Sequence, residues 1–388
     1  MRRSLKSFEN PIKKMDPILF CAVAVLSFIS ILTVFGSVDN FGQSKLKMQV
    51  AMTVLGMIFT VIIANVDYRF LVDRFYVIMF AASVVLMLLT LLFGSSGVNI
   101  ETANKSWLNI PIIDIAIQPS EFIKITFICS FSKHIDMVRD RVNKPLVLLG
   151  VLAHAGVIVG LILLTGDLGV ALVYMGIILL VMFCAGVSGW YFLIAVFLIV
   201  VAFPFLWDLL EPYQQSRIIY GFQPELDPLG YGMQPLMSRE AISQGGLFGK
   251  GLFEGGIYES LTASHTDFIF ATVCEKFGFI GGFSVVSALV AIVVRCIYFG
   301  TRCSDNIGRL ICFGVSAVIM IQTLENLWMC LGIVPVIGIT LPFVSCGGSS
   351  LLATYMLVAL VHSVTAREKR FKLSVYGKNK GFRRISAA

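Results

Sequence analysis

The chain has 388 residues, of which 57% are apolar and only 14% charged, and its mean hydropathy is +0.88. Soluble domains carry roughly 25% charged residues, so this composition excludes a water-soluble globular protein of this size. The net charge of +7 comes largely from two basic tails, a placement typical of membrane topology rather than of nucleic-acid binding.

Apolar runs of about 20 residues, the length that a helix needs to cross a bilayer, recur along the chain. They lack the alternation typical of a transmembrane barrel, so we expect an all-α integral membrane protein. The eighth run is long enough to tilt or break at Gly278, Gly281 and Gly282. The runs predict ten helices at 17–38, 47–66, 72–94, 117–133, 145–165, 168–186, 189–207, 266–300, 305–331 and 346–365.

Charge placement predicts which side of the membrane each end of the chain occupies. Basic residues crowd segments 1–16 and 366–388, and cytoplasmic segments are enriched in Lys and Arg, so both termini are expected in the cytoplasm. We therefore predict one ten-helix transmembrane domain over 17–365, between two cytoplasmic basic tails. The segments expected outside contain fewer basic residues, namely Lys45, Lys47, Lys105, Arg217, Arg239 and Lys250.

Two segments between predicted helices, 95–116 and 208–265, are expected on the outer side. The second is long, rich in Gly and Pro, and dense in aromatic residues, which favours a functional segment over a disordered one. The nine cysteines include no CxxC pair and lie mostly in or beside apolar runs, so we predict neither a disulfide nor a zinc framework. The basic start followed by an apolar helix is typical of an uncleaved signal anchor.

Ionisable side chains within a membrane are costly and are candidates for function. Glu121 and Lys124 lie three residues apart at the start of the fourth predicted helix, so they can pair on one face. Two interpretations stay open, an internal ion pair that lets both groups enter the membrane or the lining of a polar cavity. The full set of such residues is Glu121, Lys124, His154, Asp167, Asp267, Glu275, Lys276 and Glu325.

Ser264, His265, Thr266 and Asp267 immediately precede the eighth predicted helix. Ser, Thr and Asp are common N-cap residues, and the helix dipole favours an anion there, so a cap is one interpretation. The other is that Asp267 acts as a general base where a substrate from the water side meets a drier cavity. His265 would then either assist the reaction or cap the helix.

The glycine-rich segment 245–251 is similar to a phosphate-binding loop but lacks Walker A spacing, because Gln244 stands where the first Gly is required. Its backbone freedom, with Lys250, leaves phosphate or sugar binding open. Arg217 places another cation on the outer side, where solvent and lipid headgroups are its alternative partners. Helix-breaking residues across 335–348 indicate irregular backbone, which lines cavities in enzymes and in transporters alike.

Several motifs occur in an order that resembles the SEDS family (shape, elongation, division and sporulation), which includes RodA and FtsW. The resemblance covers nearly the whole chain, and Gly249-Lys250-Gly251 resembles the RodA branch more than FtsW. The most specific motifs are His265-Thr266-Asp267-Phe268-Ile269-Phe270-Ala271 and Pro342-Phe343-Val344-Ser345-Cys346-Gly347-Gly348. In the same order come Lys105-Ser106-Trp107-Leu108, Gln118-Pro119-Ser120-Glu121 with Lys124, and Gly166-Asp167-Leu168-Gly169.

The resemblance implies a peptidoglycan glycosyltransferase that acts on lipid II at the outer face of a bacterial cytoplasmic membrane. It implies partnership with a class B penicillin-binding protein and contact with membrane lipids, and none with nucleic acid. It also implies that Asp267 is the catalytic residue. The residues expected to bind substrate are Trp107, Lys105, Glu121, Lys124, Arg217, Lys250, His265, Glu275, Ser345, Gly347 and Gly348.

The chain departs from the family pattern in several places. Glu275-Lys276 replaces the usual acidic pair, Cys346 replaces a usual Tyr, and Asn326-Leu327-Trp328 replaces Asn-Ile-Gly. These changes bear on subfamily and partner more than on the reaction, because Asp267 and its flank are intact.

Lipid-linked glycosyl transfer is the first hypothesis, with Asp267 as base and Arg217, Lys105 and Lys250 as candidate cations for the pyrophosphate leaving group. A divalent cation, Mg²⁺ or Mn²⁺, would serve the same purpose, but the sequence shows no compact carboxylate cluster for it, so we assign no metal ligand. The alternatives are a flippase or transporter of lipid-linked precursors and a non-enzymatic scaffold. The sharpest motif lies at an outer helix start rather than at the midplane, which favours the enzyme.

Overall fold

The computed structural model describes residues 15–95, 105–110, 115–208 and 212–385, and these are mainly helical. Most of the predicted N-terminal tail (1–14) and residues 386–388 lie outside the described residues, as do parts of the predicted outer segments. The α-helices are α1 Pro17–Phe35, α2 Val38–Phe41, α3 Gln43–Asn65, α4 Tyr68–Phe93, α5 Pro119–Met137, α6 Pro145–Leu164, α7 Leu168–Cys184, α8 Gly189–Asp208, α9 Pro212–Phe222, α10 Met233–Gln244, α11 Ile269–Arg302, α12 Asn306–Cys330 and α13 Gly348–Ile385.

Each of the ten predicted helices overlaps one of these long helices. Seven helices of the described chain are long and apolar enough to cross a membrane, so the expected all-α membrane fold is confirmed. α7 and most of α8 are apolar but shorter, and α5 carries charged residues within its length. The seven candidate spans are Pro17–Phe35, Gln43–Asn65, Tyr68–Phe93, Pro145–Leu164, Ile269–Arg302, Asn306–Cys330 and Gly348–Lys369.

Proline and aspartate residues mark the starts of several helices. Pro17, Pro119 and Pro145 occupy the first turns of α1, α5 and α6, where a missing N–H costs nothing. The Asp16 carboxylate caps α1 by accepting the Leu19 N–H at 2.9 Å. Equivalent caps begin α4, α7 and α12 at Asp67, Asp167 and Asp305.

The centre of the bundle is formed by α12 and the membrane-spanning part of α13, whose side chains are mostly buried. α12 packs against α11, α7 and α5, and α13 packs against α3 and α5. α8 is different, because its side chains are largely exposed, Trp190, Phe197 and Phe205 among them. In a bilayer such apolar side chains face lipid, which costs nothing there.

The two ends of the bundle differ in chemistry. At one end, acidic and basic side chains from separate helices form ion pairs; we call this the ion-paired end. At the opposite end lie Asp267, α9 and α10; we call this the Asp267 end. The pairs that define the ion-paired end are Arg295–Asp16, Arg69–Asp305, Lys133–Asp73 and Arg367–Asp67.

The segment predicted as a long outer loop, 208–265, is largely ordered. It contains α9 and α10, and 3-10 turns at Pro224–Leu226 and Ile257–Ser260. The predicted segment 95–116 contributes an antiparallel hairpin, β1 Leu108–Ile110 with β2 Ile115–Ile117, in which Leu108 pairs with Ile117. These short elements lie at the Asp267 end, and each has fewer residues than a helix or strand needs to cross a bilayer.

α11 breaks at Gly278, one of the three predicted positions, where φ is +66°. A Cβ there would lie 2.4 Å from the Gly249 nitrogen, so only glycine fits. The broken helix leaves backbone groups that the segment 245–251 satisfies. The Lys250 N–H donates to Glu275 O at 2.9 Å, and the Phe279 N–H donates to Gly246 O at 2.8 Å. The glycine-rich segment therefore has a structural role, since it forms the backbone hydrogen bonds that α11 loses at its break.

Candidate active site

Asp267 lies in a tight turn directly before α11. The Ala263 carbonyl accepts hydrogen bonds from the backbone N–H groups of Thr266, Asp267 and Phe268, and Ala263 itself has φ of +56°. Such left-handed backbone is unfavourable for a residue with a side chain and recurs at functional sites. The turn holds the partly buried Asp267 carboxyl group at the edge of the protein interior.

The structure brings the two most specific sequence motifs together around this turn. Ser345 Oγ donates to Thr266 O at 2.6 Å, and the Cys346 N–H donates to His265 O at 2.8 Å. Gly347 and Gly348 follow at the start of α13. The predicted residue Ser345 therefore holds the backbone beside Asp267, which is a positioning contact.

Asn326 is a site residue that the sequence reasoning noted only as part of a departure from the family pattern. It is fully buried on α12, and its Nδ2 donates to both Asp267 O and Ile339 O at 2.7 Å. One amide thus joins the turn before α11 to the irregular segment before α13. Its position within an apolar helix is the sequence feature that indicates such a role, because burying a polar side chain is unfavourable unless it is hydrogen-bonded.

The carboxylate of Asp267 faces backbone rather than side chains on the Gly338 side. A Cβ built on Gly338 would lie 3.5 Å from Asp267 Oδ2. Gly338 has φ of +70°, a conformation that glycine adopts without strain. The absence of a side chain at Gly338 keeps this approach to the carboxylate open.

A second polar group lies in the neighbouring part of the bundle, where α5, α7 and α13 begin. Gln118 Nε2 donates to Asp167 Oδ2 at 3.0 Å, while the Gln118 N–H donates to Ser349 Oγ at 3.3 Å. Lys124 Nζ donates to Glu121 Oε1 at 2.7 Å, and both side chains are buried. The predicted pair is therefore present, and it lies in the same polar region as Asp167.

Burial raises the pKa of Asp267 to about 6, and the negative charge of Asp167 adds to the rise while a hydrogen bond from Thr266 opposes it. A carboxylate with a pKa close to working pH is suited to accept a proton. Burial and the charge of Lys45 lower the pKa of His265 to about 4, so its imidazole is neutral at neutral pH. His265 therefore supplies no positive charge for a phosphate.

The three predicted cations lie in different surroundings. Arg217 on α9 is exposed, and its Nη2 donates to Val336 O at 3.0 Å, within the irregular segment before α13. Lys105 is also exposed, and its N–H donates to Thr165 O, two residues before Asp167. Lys250 Nζ lies 2.7 Å from Glu275 Oε1, so its charge is already paired.

Trp107, another predicted site residue, is half-buried and forms an isolated bridge with Ser95. The Ser95 N–H donates to Trp107 O at 2.8 Å. This contact fixes Trp107 just before the β1–β2 hairpin, in the same short segment as Lys105.

Glu275 and Lys276 form a buried cluster apart from the Asp267 turn. Glu275 accepts the N–H groups of Ile257 and Tyr258, each at 2.9 Å, in addition to Lys250. Lys276 Nζ donates to Leu252 O at 2.8 Å, Gly36 O at 3.0 Å and the Tyr258 hydroxyl at 3.1 Å. Lys276 therefore joins three segments of the chain by donating to an acceptor in each.

Among the residues that the structure describes, no three His, Cys, Asp or Glu side chains are grouped closely enough to hold a metal ion. Asp167 and Asp267 come from different helix starts, and Glu121 of α5 and Glu275 of α11 are each paired with a lysine.

Comparison with known proteins identifies the family. The FtsW/RodA/SpoVE family model, described as cell cycle protein, matches residues 13–370. The chain belongs to this family. A probable peptidoglycan glycosyltransferase FtsW of Trichlorobacter lovleyi is 31% identical over 369 residues, which are 90% of this chain and 93% of that protein. The peptidoglycan glycosyltransferase MrdB of Escherichia coli K12 is 29% identical, over 95% of this chain and 100% of its own length.

Solved structures agree with this FtsW/RodA/SpoVE membership. One chain of a peptidoglycan synthase complex, described as coordinating polymerization and crosslinking, has a TM-score of 0.78 at 26% identity, covering 91% of this chain and 98% of its own. The rod shape determining protein RodA of Thermus thermophilus shares the fold, with a TM-score of 0.67 at 24% identity over 91% of this chain and 97% of its own. FtsW, MrdB and SpoVE relatives are 28 to 31% identical, so identity does not separate the RodA branch from the others.

Proposed function

We propose that this membrane-embedded peptidoglycan glycosyltransferase polymerises lipid II into β-1,4 glycan strands, with Asp267 as the general base. Lipid II carries a disaccharide peptide on undecaprenyl pyrophosphate. The observation that carries the proposal is the setting of Asp267, whose partly buried carboxylate has a pKa raised to about 6 and a backbone fixed by Asn326. Relatives named as peptidoglycan glycosyltransferases match almost the whole chain.

In the proposed step, Asp267 takes the proton from the 4-hydroxyl of the acceptor GlcNAc. The freed oxygen forms a bond to the anomeric carbon of the donor MurNAc, whose bond to the pyrophosphate oxygen breaks. Undecaprenyl pyrophosphate leaves with the bonding electrons, and Asp267 later returns its proton to water. Because this is a single displacement, the configuration at the anomeric carbon inverts and the new linkage is β.

Preorganisation supports the assignment of Asp267. Hydrogen bonds from Asn326, Ser345 and Cys346 reach the backbone of three successive residues, His265 to Asp267. They leave the carboxylate oxygens free of a paired cation among the described side chains. A base held this way needs little rearrangement before it reacts, which lowers the barrier.

Charge that develops on the leaving pyrophosphate requires nearby positive groups. Arg217 and Lys105 are the favoured candidates, because both are exposed and no acidic side chain pairs with them in the described part of the chain. Lys250 is less suited, since Glu275 neutralises it. A Mg²⁺ or Mn²⁺ ion bound to the pyrophosphate would add to this stabilisation.

We propose ten membrane crossings, with both termini in the cytoplasm of a bacterium and the Asp267 end facing outward. The seven candidate spans, together with α5, α7 and α8, supply the ten. The distribution of Lys and Arg supports this orientation. It places Asp267 where lipid-linked sugars, rather than cytoplasmic sugar nucleotides, reach it.

A class B penicillin-binding protein is the proposed partner, since the solved synthase complex couples polymerization to crosslinking. A transpeptidase bound to this chain would crosslink the strands as they form. Copurification from detergent-solubilised membranes, with glycan synthesis measured with and without the partner, checks this pairing. A chain that elutes alone from membranes containing every class B protein of its host would contradict it.

The decisive assay supplies lipid II to the purified chain in vesicles, alone and with the partner, and separates the glycan products by length. Asp267→Ala should abolish polymer. Asp39→Ala is the matched control, because Asp39 is an exposed acid of α2 at the same end of the bundle. Equal polymer from Asp267→Ala and the wild type would contradict the role of Asp267. Movement of lipid II across the bilayer without polymer would favour the flippase, and normal growth of cells with Asp267→Asn would favour the scaffold.

A further inference from the structure

The glycine-rich segment that hydrogen-bonds to α11 at its break continues across the end of α1. Leu252 packs on Gly36, the residue after α1, so closely that a Cβ there would be 2.3 Å from Leu252 O. The ring of Phe253 meets that of Phe35 edge to face at 5.7 Å. Residues 245–253 therefore form a strap that joins the end of α1 to the break in α11.

The strap turns large apolar side chains away from the protein. Leu247, Phe248 and Phe253 are 64%, 78% and 71% exposed. Beside them, Phe35 on α1 and Phe279 on α11 are exposed as well. We call these five residues the apolar rim. In water such a patch would be costly, so some apolar medium or partner has to cover it.

Two contacts fix the depth of the apolar rim relative to the membrane. α1 and α11 run antiparallel, with Asp16 paired to Arg295 at one end and Gly36 O bonded to Lys276 at the other. Between them α1 has 19 residues, a length of about 28 Å at 1.5 Å per residue, close to the thickness of the hydrocarbon layer. The apolar rim therefore lies at the boundary between hydrocarbon and headgroups.

We infer that the apolar rim is an interfacial anchor, in which Leu247, Phe248 and Phe253 insert among the lipids of the leaflet at the Asp267 end. Two features favour lipid over a partner helix. The rim residues lie at one depth, across the end of α1 and the break in α11, like an interfacial belt, rather than along one helix. They also continue the exposed apolar surface of α11, including Ile280 and Phe283, which faces lipid in a span.

The anchor has a consequence for α11. The strap backbone accepts the Phe279 N–H at Gly246 O and the Ile280 N–H at Leu247 O, at 2.8 and 3.3 Å. Lipid contact at Leu247 and Phe248 thus holds the break in α11 at the membrane surface. This inference is independent of the reaction assigned to Asp267, because it depends only on the depth of the strap.

Tryptophan quenching in vesicles tests the anchor. Phe248→Trp and Phe253→Trp are compared with Ser243→Trp, an exposed position on α10 next to the polar side chains of Glu240 and Gln244. The emission of the four native tryptophans is subtracted by measuring the wild type in parallel. The quenchers are phosphatidylcholine brominated near the headgroup, phosphatidylcholine brominated near the chain end, and aqueous acrylamide.

Both rim variants should show blue-shifted emission that is lost with the lipid brominated near the headgroup and is little affected by acrylamide, whereas Ser243→Trp should respond in the opposite way. Two results would overturn the inference. If acrylamide quenches the rim variants as strongly as Ser243→Trp, the rim lies in water. If neither acrylamide nor either brominated lipid quenches them, protein covers the rim, either a partner or a second copy of the chain.

Discussion

Asp267 combines two properties, a backbone held by hydrogen bonds at three successive residues, His265 to Asp267, and a carboxylate without a paired cation in the described chain. These hydrogen bonds explain why the buried residues Asn326 and Ser345 are polar, since burying a polar side chain is unfavourable unless it is hydrogen-bonded. Ser345 and Asn326 donate hydrogen bonds to backbone carbonyls, so the Asp267 carboxylate remains available to accept a proton.

The first residue-scale prediction concerns pH. Asp267 must be ionised to accept a proton, and burial raises its pKa to about 6. The raised pKa means that the protonated, inactive form accumulates as pH falls through about 6, so kcat/KM should drop about tenfold per pH unit below that value. Initial rates of lipid II polymerisation across this range check it. Asp39→Ala should keep the same profile, and a rate that stays flat to pH of about 4 would exclude Asp267 as the base.

The second residue-scale prediction concerns Lys276. Lys276→Met removes the ammonium group and leaves the carbonyls of Gly36 and Leu252 without a donor, which should destabilise the protein by about 2–4 kcal/mol. Lys250→Met is the control, because Lys250 is partly exposed and Glu275 keeps two backbone donors without it. Lys276→Met should lower the unfolding temperature in detergent, and increase protease cleavage within 245–260, more than Lys250→Met does. Equal effects of the two substitutions would show that the hydrogen bonds of Lys276 to Gly36 and Leu252 do not stabilise this region more than the Lys250–Glu275 pair does.

At the scale of elements, hydrophobic runs predicted the membrane helices well because lipid imposes one simple requirement, about 20 apolar residues in a row. The helices α9 and α10 were missed for the converse reason. They lie outside the apolar runs, and their polar sequences contain Gly and Pro nearby, so composition there indicates a loop. Packing on the bundle, as in the contact of Gly221 with Pro335, decides their structure.

The element-scale prediction concerns the break in α11. Gly278→Ala places a Cβ at φ of +66° and 2.4 Å from the Gly249 nitrogen, so we expect a loss of about 2–4 kcal/mol and release of the strap. Gly150→Ala in α6 is the matched control, since a Cβ there meets nothing within 4 Å and Ala favours a helix by about 0.5–1 kcal/mol. Melting temperatures of the two variants measure the contrast. A Gly278→Ala protein as stable as Gly150→Ala would mean that the break is not required.

At the scale of the whole molecule, the ion-paired end and the Asp267 end are built differently. Four ion pairs join separate elements at the ion-paired end. The Asp267 end has the pairs Arg239–Glu225 and Lys250–Glu275, and it adds short helices and hydrogen bonds from Asn326 and Ser345 to backbone carbonyls. Exposed pairs such as Arg367–Asp67 contribute little stability each, whereas Arg295–Asp16 is largely buried.

The whole-molecule prediction is the orientation. A protease-cleavable tag inserted in the turn 227–230 should be cut when protease is added to intact spheroplasts, because this turn belongs to the Asp267 end. The same tag at the C-terminus should be cut only after the cells are lysed. Cleavage of the C-terminal tag in intact spheroplasts would reverse the proposed topology.

The sequence by itself determined the membrane class and the ten helical segments, because the length of an apolar run is a local property. The resemblance to the SEDS family pointed to Asp267, and its role as the base stays a prediction. The sequence also predicted the Glu121–Lys124 pair, whose members are three residues apart on one helix. Only the tertiary structure decided the roles of Asn326, Lys250 and Lys276. Asn326 bonds a residue 59 positions away, and Lys276 bonds one 240 positions away. The partner of a polar side chain depends on which segments the bundle brings together, and no local pattern encodes that.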